Sequence, residues 1–398
     1  MAEDPWLTIV GLGEDGPDGL SAASRAAIAE ADVVMGPERH LSLLPESAAE
    51  RIVWPVPFSD GLPKLEKLRG RRTVALVSGD PFWYGGGRVI AQRLRAGEWR
   101  AMPAPSTFTL AAARMGWAVE STLCVGLHAA PLSRLRPHIA RGRRMIVLLR
   151  DGEAVFDLCG WLTAAGFSET KVAVLEALGG PNERRTDGRA GTLTGDFQHP
   201  VAAALEIAGK GRTMPVVPGL DDALFDHDGQ ITKRPVRALT LAALAPRAGE
   251  TLWDIGGGSG SVAIEWLLAH PLTEAISIEA DPARARRIRA NAAQLGVDRI
   301  EVVEGWAPEA LGGLPDPDAV FVGGGLCAAL LEHLTARLET GTRLVINAVT
   351  LESEAVLADW HARRGGDLMR IEVSEAQPLG TRRGWQAAYP VVQWRGQL

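Results

Sequence analysis

The sequence predicts an α/β protein of two domains, the second with a Rossmann-like, seven-stranded sheet. Helix and strand patterns alternate along the chain, which favours mainly parallel sheets. The length of 398 residues is too great for one typical core. Glycine and proline turn chemistry marks residues 206–225 as a linker. We therefore expect one domain at 1–205, itself split into two lobes near 105–120, and another at 226–398.

The first domain opens with a predicted strand at residues 7–10. A helix with Ser21 as its N-cap should follow over 21–31, because a serine side chain can accept a hydrogen bond from the first helical turn. The remaining predictions for this half share the same alternation of short apolar runs and amphipathic segments. They are strands at 32–35, 73–77, 123–127, 144–149 and 171–176, and a helix at 109–115.

The second domain continues the alternation from Thr232 onward. Predicted strands lie at 275–278, 300–303 and 319–322, and another ends near Asn347. The last two predicted strands, 368–373 and 387–394, have a loop around 377–384 between them. Two consecutive strands at the end of a strand–helix series fit an antiparallel pair that completes a seven-stranded sheet.

Composition excludes several classes of function. A net charge of −6 argues against a nucleic-acid partner. No apolar run is long enough to span a bilayer, and the first residues do not resemble a signal peptide. The three cysteines are scattered and the eight histidines form no ligand motif, so we expect no metal. These observations predict a cytoplasmic protein with no membrane partner.

A glycine-rich turn after Asp254 is the most informative feature of the chain. The turn consists of Gly256, Gly257, Gly258, Ser259 and Gly260. Its alternating glycines differ from the Gly-x-Gly-x-x-Gly fingerprint of dinucleotide sites, and no Lys-Ser/Thr follows as in a P-loop. The alternating form suits S-adenosylmethionine (SAM), which has no pyrophosphate and whose carboxypropyl tail can lie against the turn.

The strands that follow support a SAM site. Glu279 ends the next predicted strand about 20 residues further on, where an acid can accept hydrogen bonds from both ribose hydroxyls. Ala307 follows the third strand, where an adenine ring would be contacted. A solvated strand end is the alternative for Glu279. The first half also holds Gly11, Gly13 and Gly16, but Pro17-Asp18-Gly19 interrupts the helix that NAD binding would need.

Both halves resemble methyltransferases of cobalamin biosynthesis. Residues 1 to about 205 resemble the tetrapyrrole methylase family in its CbiE-like branch. The matching sequence motifs are Val10-Gly11-Leu12-Gly13, Ser78-Gly79-Asp80-Pro81-Phe82-Trp83-Tyr84-Gly85, Pro105-Ser106-Thr107-Phe108 and Asn182-Glu183-Arg184-Arg185. Residues from about 226 resemble the CbiT-like branch. The motifs that match this branch are Ile231-Thr232-Lys233-Arg234-Pro235, Asp254 to Ser261, Gly305-Trp306-Ala307-Pro308 and Asn347-Ala348-Val349-Thr350.

The order of the two halves is that of the fused CobL-type family. This resemblance implies a two-lobed class III methylase fold followed by a class I SAM methyltransferase fold. It implies that a precorrin-6 macrocycle is methylated at C-5 by the first half and at C-15 by the second, with loss of carbon dioxide from the ring C acetate. Two SAM molecules are consumed, and no metal is needed. It is compatible with a tetrameric core, and we expect a homo-oligomer.

The resemblance also implies site residues. In the second half Thr232 resembles a further SAM contact, although it could instead cap a helix. In the first half the matching SAM contacts are Gly79, Asp80, Ser106 and Thr107. One departure from the family is Glu14-Asp15-Gly16-Pro17-Asp18, which stands where many tetrapyrrole methylases have Gly-Pro-Gly-Asp-Pro.

The substrate is a polycarboxylate, so cations should line its cleft. The candidates, all in segments expected at the open end of the sheet, are Lys233, Arg234, Arg382 and Arg383, and Asn347 could add a hydrogen bond. Ordinary surface charge is the alternative for each cation. Methyl transfer from a sulfonium depends mostly on alignment, so the sequence assigns no catalytic residue.

Two other functions remain open from the sequence. A class I methyltransferase acting on RNA or another small molecule, with an accessory N-terminal domain, would have a basic face and often an Asn/Asp-Pro-Pro-aromatic word after the fourth strand. Here that position reads Gly323-Gly324-Gly325. A non-enzymatic tetrapyrrole-binding or SAM-sensing module would have a degenerate cofactor turn, whereas the turn in the second half is intact.

Overall fold

The computed structural model describes residues 5–398, which form two compact units. Within this range the first unit takes in the chain up to Pro131 together with Ala140–Arg212, and the second takes in Leu132–Ile139 and Thr213–Leu398. Both units consist of sheets with helices, so the predicted α/β class is confirmed. Among the described residues no helix has the length and apolar character needed to cross a membrane.

The first lobe of the first unit is built on a five-stranded parallel sheet in the order β3-β2-β4-β1-β5. Its strands are β1 (Leu7–Leu12), β2 (Val33–Gly36), β3 (Glu50–Val53), β4 (Thr73–Ser78) and β5 (Trp99–Met102). Its helices are α1 (Ala22–Ala29), α2 (Glu38–Leu43), α3 (Leu62–Glu66) and α4 (Gly87–Ala91). Ser21 caps α1 as predicted, since its side chain accepts a hydrogen bond from the Ser24 amide at 3.1 Å.

The second lobe carries a mixed five-stranded sheet in the order β6-β7-β10-β8-β9. Its strands are β6 (Leu123–Gly126), β7 (Arg144–Leu149), β8 (Lys171–Glu176), β9 (Arg184–Arg189) and β10 (Val201–Glu206), and its helices are α5 (Thr107–Met115) and α6 (Glu153–Ala164). β6, β7 and β8 run in one direction, whereas β9 and β10 run in the other. The sequence prediction had missed β9 and β10.

The second unit is built on the predicted seven-stranded sheet. Its strands are β11 (Thr251–Ile255), β12 (Glu274–Glu279), β13 (Glu301–Glu304), β14 (Ala319–Val322), β15 (Arg343–Ala348), β16 (Asp367–Ile371) and, after a separate hairpin of β17 (Ser374–Leu379) and β18 (Arg382–Ala387), β19 (Val391–Gln397). Its helices are α7 (Arg234–Leu244), α8 (Ser261–Ala269), α9 (Pro282–Leu295), α10 (Ala328–Arg337) and α11 (Leu351–Arg364).

The strand order of this sheet is β13-β12-β11-β14-β15-β19-β16. The chain therefore moves outward in one direction from β11 to β13 and then returns to β14 on the other side of β11. Ligands of such sheets bind at the carboxyl ends of the strands where the order reverses. Helices cover both faces of this sheet. On one face Phe321 packs in a core with α7, α8 and α9, and on the other face its neighbour Val320 packs in a core with α10 and α11.

The prediction of a loop around residues 377–384 is wrong. This segment forms the β17–β18 hairpin, with Leu379 paired to Arg382 across a two-residue turn that begins at Gly380. Nearly every residue of the hairpin is exposed, so neither face has the apolar side chains whose alternation would indicate a strand. The last strand of the main sheet begins at Val391 rather than at residue 387, because Ala387 is the last residue of β18.

Candidate functional site

A large cavity opens at the carboxyl ends of the central strands of the second unit. Its volume is about 1780 Å³. Ligand pockets usually measure roughly 300–1000 Å³, so this cavity has room for more than one ligand. Seven of the eight cofactor residues predicted in this half line the cavity, namely Thr232, Gly256, Gly257, Gly258, Ser259, Glu279 and Ala307. The eighth, Gly260, does not line it.

The glycine turn follows β11 directly and begins α8. Gly256 has a φ of +73°, and a Cβ there would lie 2.7 Å from the backbone nitrogen of Gly324. The ends of β11 and β14 therefore approach each other more closely than any side chain allows. Gly258 has a φ of +60° and faces open space, with no atom closer than 3.8 Å to a Cβ placed on it. A ligand can thus lie directly against this backbone.

Glu279 ends β12 and faces this turn. Its side chain is almost buried, at 6% exposure. One carboxylate oxygen accepts a hydrogen bond from the Gly258 amide at 2.8 Å, and the other accepts one from the Asp281 amide at 2.9 Å. Each oxygen retains a lone pair. The carboxylate can therefore accept two further hydrogen bonds from a ligand in the cavity.

Two polar side chains beside the turn lie in buried positions. Burial raises the pKa of Asp254 to about 7, even though the Ala263 amide and the Ser277 hydroxyl donate hydrogen bonds to its carboxylate, and the nearby Glu279 adds to the increase. Ser259 lines the cavity, and its buried hydroxyl has no hydrogen-bond partner within residues 5–398. Buried polar groups normally have partners, so this hydroxyl fits a site built for a polar ligand.

A buried arginine holds the segment that leads to Thr232. Arg237 is fully buried and donates to Glu265 on α8 at 2.5 Å and to Asp222 at 3.0 Å. The same guanidinium donates to the carbonyl oxygen of Thr232 at 2.5 Å. Glu265 in turn accepts a hydrogen bond from the Leu220 amide at 2.9 Å. Residues 220–232 are thus fixed along the cavity, a role that the sequence analysis missed.

The structure places three of the predicted substrate residues at the cavity. Lys233 and Arg234 line it, and neither side chain has a hydrogen-bond or ion-pair partner in the described part of the chain. Asn347 also lines it, donating to the Thr240 hydroxyl at 2.9 Å and accepting from Gln393 at 2.9 Å. One N–H and one lone pair of this amide remain available. Lys233 occupies the N-cap position of α7, so the alternative that Thr232 caps this helix is wrong.

The other two predicted cations, Arg382 and Arg383, lie on β18 outside the cavity wall. Successive residues of a strand point to opposite faces. The register of the hairpin places Arg382 on the same face as Gln377 and Gln386, both of which line the cavity, and Arg383 on the opposite face. Only one of the two arginines therefore shares the cavity side of the hairpin.

The four cofactor residues predicted in the first unit follow two strands, Gly79 and Asp80 after β4 and Ser106 and Thr107 after β5, and the two pairs meet at Gly79 and Ser106. A Cβ on Gly79 would lie 3.1 Å from the Cα of Ser106. Asp80 accepts a hydrogen bond from the Phe82 amide at 2.8 Å, Ser106 caps α5 through the Thr109 amide at 3.1 Å, and Thr107 begins that helix. The structure disagrees with a dinucleotide site after β1, because a 3-10 helix, Gly16–Gly19, replaces the start of an α-helix.

Comparison with known proteins assigns each half to a family. Residues 6–194 match the model of the Tetrapyrrole (Corrin/Porphyrin) Methylases, and residues 223–397 match that of the Precorrin methyltransferase domain. A solved structure from Rhodobacter capsulatus, described as the C-terminal domain of precorrin-6Y C5,15-methyltransferase, is 55% identical with a TM-score of 0.45. The match covers 46% of this chain and 100% of the solved chain.

Two curated relatives match across almost the whole length. A Sinorhizobium protein named Precorrin-6Y C(5,15)-methyltransferase [decarboxylating] is 49% identical over 98% of this chain and 96% of its own. A Mycobacterium tuberculosis protein of the same name is 41% identical over 98% of each chain. With both halves and their order matched, the chain belongs to the family of decarboxylating precorrin-6Y C5,15-methyltransferases, which are SAM-dependent enzymes.

Proposed function

We propose that the chain methylates a precorrin-6 macrocycle at C-5 in its first unit and at C-15 in its second, and removes carbon dioxide from the ring C acetate during cobalamin biosynthesis. The observation that carries this proposal is the glycine turn with Glu279 at the edge of a cavity of about 1780 Å³. A cavity of this size suits a cofactor beside a large macrocycle. We place the enzyme in the cytoplasm, acting on a small molecule without a metal, a nucleic acid or a membrane.

Several groups of the second unit support a SAM site there. When bound, SAM supplies a methyl group on a positively charged sulfur, which leaves without acid assistance. The open backbone at Gly258 suits the carboxypropyl tail, and the unpartnered Ser259 hydroxyl can hydrogen-bond to it. Glu279 has two lone pairs for the ribose hydroxyls. Thr232 and Ala307 line the same cavity, and we assign Ala307 to the adenine ring and Thr232 to a further contact with SAM.

The remaining part of this cavity suits the macrocycle. Lys233 and Arg234 have no partner among the described side chains, so they can pair with substrate carboxylates without breaking an existing ion pair. Asn347 has one donor and one acceptor left for the substrate. Arg382 can reach the same ligand from the cavity side of the hairpin. Arg383 was predicted with it, but its position on the opposite face favours the alternative of ordinary surface charge.

A second SAM site is proposed in the first unit. Gly79, Asp80, Ser106 and Thr107 converge at the carboxyl end of β4, which is where ligands of parallel sheets bind. Because Ser106 already caps α5 with its hydroxyl, we assign its backbone rather than its side chain to the cofactor. Asp80 uses one carboxylate oxygen to close a turn onto the Phe82 amide, so its other oxygen remains available for the cofactor.

Calorimetric titration of the full chain with SAM and with NADH tests the cofactor assignment. We expect two SAM sites and no NADH binding. Glu279→Ala should weaken one SAM site by at least about tenfold, because hydrogen bonds to a charged group contribute roughly 1.5–3 kcal/mol each. Glu301→Ala, at the opposite end of the neighbouring strand β13, is the matched control. Unchanged affinity in Glu279→Ala, or binding of NADH, would remove the assignment.

We also propose that the chain forms a homo-oligomer through its hairpin. Leu379 and Trp385, on opposite faces of the hairpin, are 70% and 79% exposed, and Tyr389 just beyond the hairpin is 85% exposed. Large apolar side chains concentrated on one exposed element often mark interaction sites. Sedimentation of Trp385→Ser should show a smaller assembly than the unaltered protein. An unaltered protein that sediments as a monomer would contradict the proposal.

A further inference from the structure

Methyl transfer to a meso carbon releases a proton that some group must accept. An electron pair of the macrocycle forms the new carbon–carbon bond, and the carbon–sulfur bond breaks with its pair left on sulfur. The carbon that received the methyl group still carries its hydrogen, and conjugation returns only when that C–H bond breaks. The electrons of the bond then return to the macrocycle and a base takes the proton. This reasoning rests on the function proposed above for the first unit.

The carboxyl edges of the two sheets of the first unit approach each other, and we place the substrate cleft of the proposed function between them. The carboxyl ends of β6, β7 and β8 lie at one edge of the second sheet. A Cβ on Gly180, just after β8, would lie 2.6 Å from the Cβ of Glu14, just after β1. A Cβ on Gly126, at the end of β6, would lie 2.6 Å from the ring of Tyr84 in the first lobe. The second sheet therefore presents this edge to the loops that hold Gly79 and Asp80.

His199 lies at the same edge. It comes just before β10, whose first residue, Val201, pairs with Leu149 at the end of β7 and with Glu176 at the end of β8. Its Nδ1 lies 3.0 Å from the carbonyl oxygen of Arg150. A carbonyl can only accept, so Nδ1 carries the hydrogen and Nε2 of the neutral ring is a free acceptor. The ring is exposed, and Nε2 has no partner among residues 5–398.

The surroundings of His199 lower the pKa of its ring. Partial burial lowers its pKa, as does the positive charge of Arg39, whereas the Arg150 carbonyl and Asp151 act in the opposite direction. The neighbouring carboxylate of Glu176 is already paired with Arg184. A neutral imidazole with a free nitrogen can accept a proton at neutral pH.

Arg39 connects this base to the substrate. Its guanidinium lies at the carboxyl edge of the first sheet, 3.3 Å from the Ser78 hydroxyl, and pairs with Glu14 of the segment that departs from the family pattern. Its guanidinium has five N–H donors, so it can bind a substrate carboxylate in addition to Glu14. A carboxylate bound there would offset the charge that disfavours protonation of His199, so substrate binding would make the ring more basic.

Two other histidines near these edges do not meet these requirements. His128, two residues after β6, is exposed and has no hydrogen bond within residues 5–398 that would orient its ring. His40 is 1% exposed, and its Nε2 already lies 3.0 Å from Arg39 and 3.3 Å from the Ser78 hydroxyl. Burial, and then the charge of Arg39, lowers the pKa of His40 to about 3. A ligand in the cleft cannot reach this ring, and the ring does not take up a proton near neutral pH.

We propose that His199 is the catalytic base of the first unit and accepts, at Nε2, the proton that leaves C-5 after methyl transfer. The C–H bond breaks, its electron pair neutralises the iminium nitrogen of the macrocycle, and the resulting imidazolium releases its proton to solvent at the cleft mouth. Arg39 is the positioning residue that holds a substrate carboxylate beside it.

The test uses the full chain in single turnover with a ¹³C-methyl donor and the precorrin substrate. His199→Asn keeps an N–H for the Arg150 carbonyl but has no Nε2. His361→Asn is the matched control, because the Nδ1 of His361 also lies near a carbonyl, that of Gly365, at 3.2 Å. S-adenosylhomocysteine formation reports methyl transfer, and visible absorbance reports the return of conjugation. The ¹³C shifts distinguish methylation at C-5 from methylation at C-15.

In the unaltered protein, S-adenosylhomocysteine formation and the visible absorbance change should rise together. In His199→Asn we expect the return of conjugation at C-5 to lag by about 100-fold, the usual scale for loss of a general base, with methylation at C-15 unchanged. Deuterium at C-5 should slow this lagging phase further. If both signals keep the unaltered rate in His199→Asn, the role of His199 is refuted. If the unaltered protein places no methyl group at C-5, the proposed function itself is refuted.

A second measurement does not depend on turnover. In ¹⁵N-histidine spectra of the full chain, the resonance that disappears in His199→Asn should show a protonated Nδ1 and a bare Nε2 near neutral pH. Arg39→Met should raise the pKa of this histidine, because it removes the positive charge beside the ring. A resonance with the hydrogen on Nε2 would overturn the proposal.

Discussion

Replacing Asp254 by asparagine should make the stability of the second unit less dependent on pH. Burial raises the pKa of this carboxyl from 3.8 to about 7 in the folded chain. Between these two values the folded state holds a proton that the unfolded state has released, so stability falls as the pH rises. A difference of roughly three pH units corresponds to about 4 kcal/mol in total. Of this, about 2 kcal/mol should be lost between pH 5.5 and 8.5.

Urea unfolding at these two pH values can measure the effect. Hydrogen-exchange labelling of peptides from β11 and β12 isolates the transition of the second unit. Asp318→Asn is the control, because it makes the same chemical change just before β14, where the carboxylate accepts a hydrogen bond from the Thr251 amide at 2.8 Å. It should keep the pH difference of the unaltered protein. If Asp254→Asn also keeps that difference, the buried carboxyl is not its origin.

Two further predictions concern the buried arginine and the hairpin. Arg237→Met should lower the unfolding free energy of the second unit by about 3–5 kcal/mol, since it leaves Glu265 without its cation; adding Glu265→Gln should recover part of the loss in thermal melts. A loss below about 1 kcal/mol would mean that the pair contributes little. Arg382→Ala should raise KM for the macrocycle by about tenfold while Arg383→Ala leaves it unchanged, in steady-state assays. Equal effects would contradict the assignment from register.

The central strands could be predicted from the sequence because burial dictates their composition. All residues of β1 and of β14 are buried; β14 is a continuous apolar run, and β1 departs from one only at Thr8. The glycine turn could also be predicted from the sequence, because the close approach of Gly256 to Gly324 excludes any residue with a side chain. The hairpin lacked both signals, because it is exposed on both faces and only pairing within itself defines it.

The hydrogen-bond network around Arg237 could not be predicted from local sequence patterns, because its members are distant in the chain. The arginine lies on an amphipathic helix, where a charged residue is usually expected to face solvent. Its partners Asp222 and Glu265 lie 15 and 28 residues away. Only the packing of α7 against α8 brings the three together. The hydrogen bond that orients His199 through the Arg150 carbonyl spans 49 residues and has the same origin.

The placement of β19 has a consequence for how the chain acquires its shape during synthesis. This strand comes last in the sheet's chain order, yet it is inserted between β15 and β16, with Val345 paired to Arg395 and Asp367 paired to the same arginine. Until it leaves the ribosome, β15 has an unpaired edge and β16 has no neighbour. Unpaired edges favour aggregation of nascent chains. Pausing of translation shortly before residue 391 should therefore be especially harmful to the yield of folded protein.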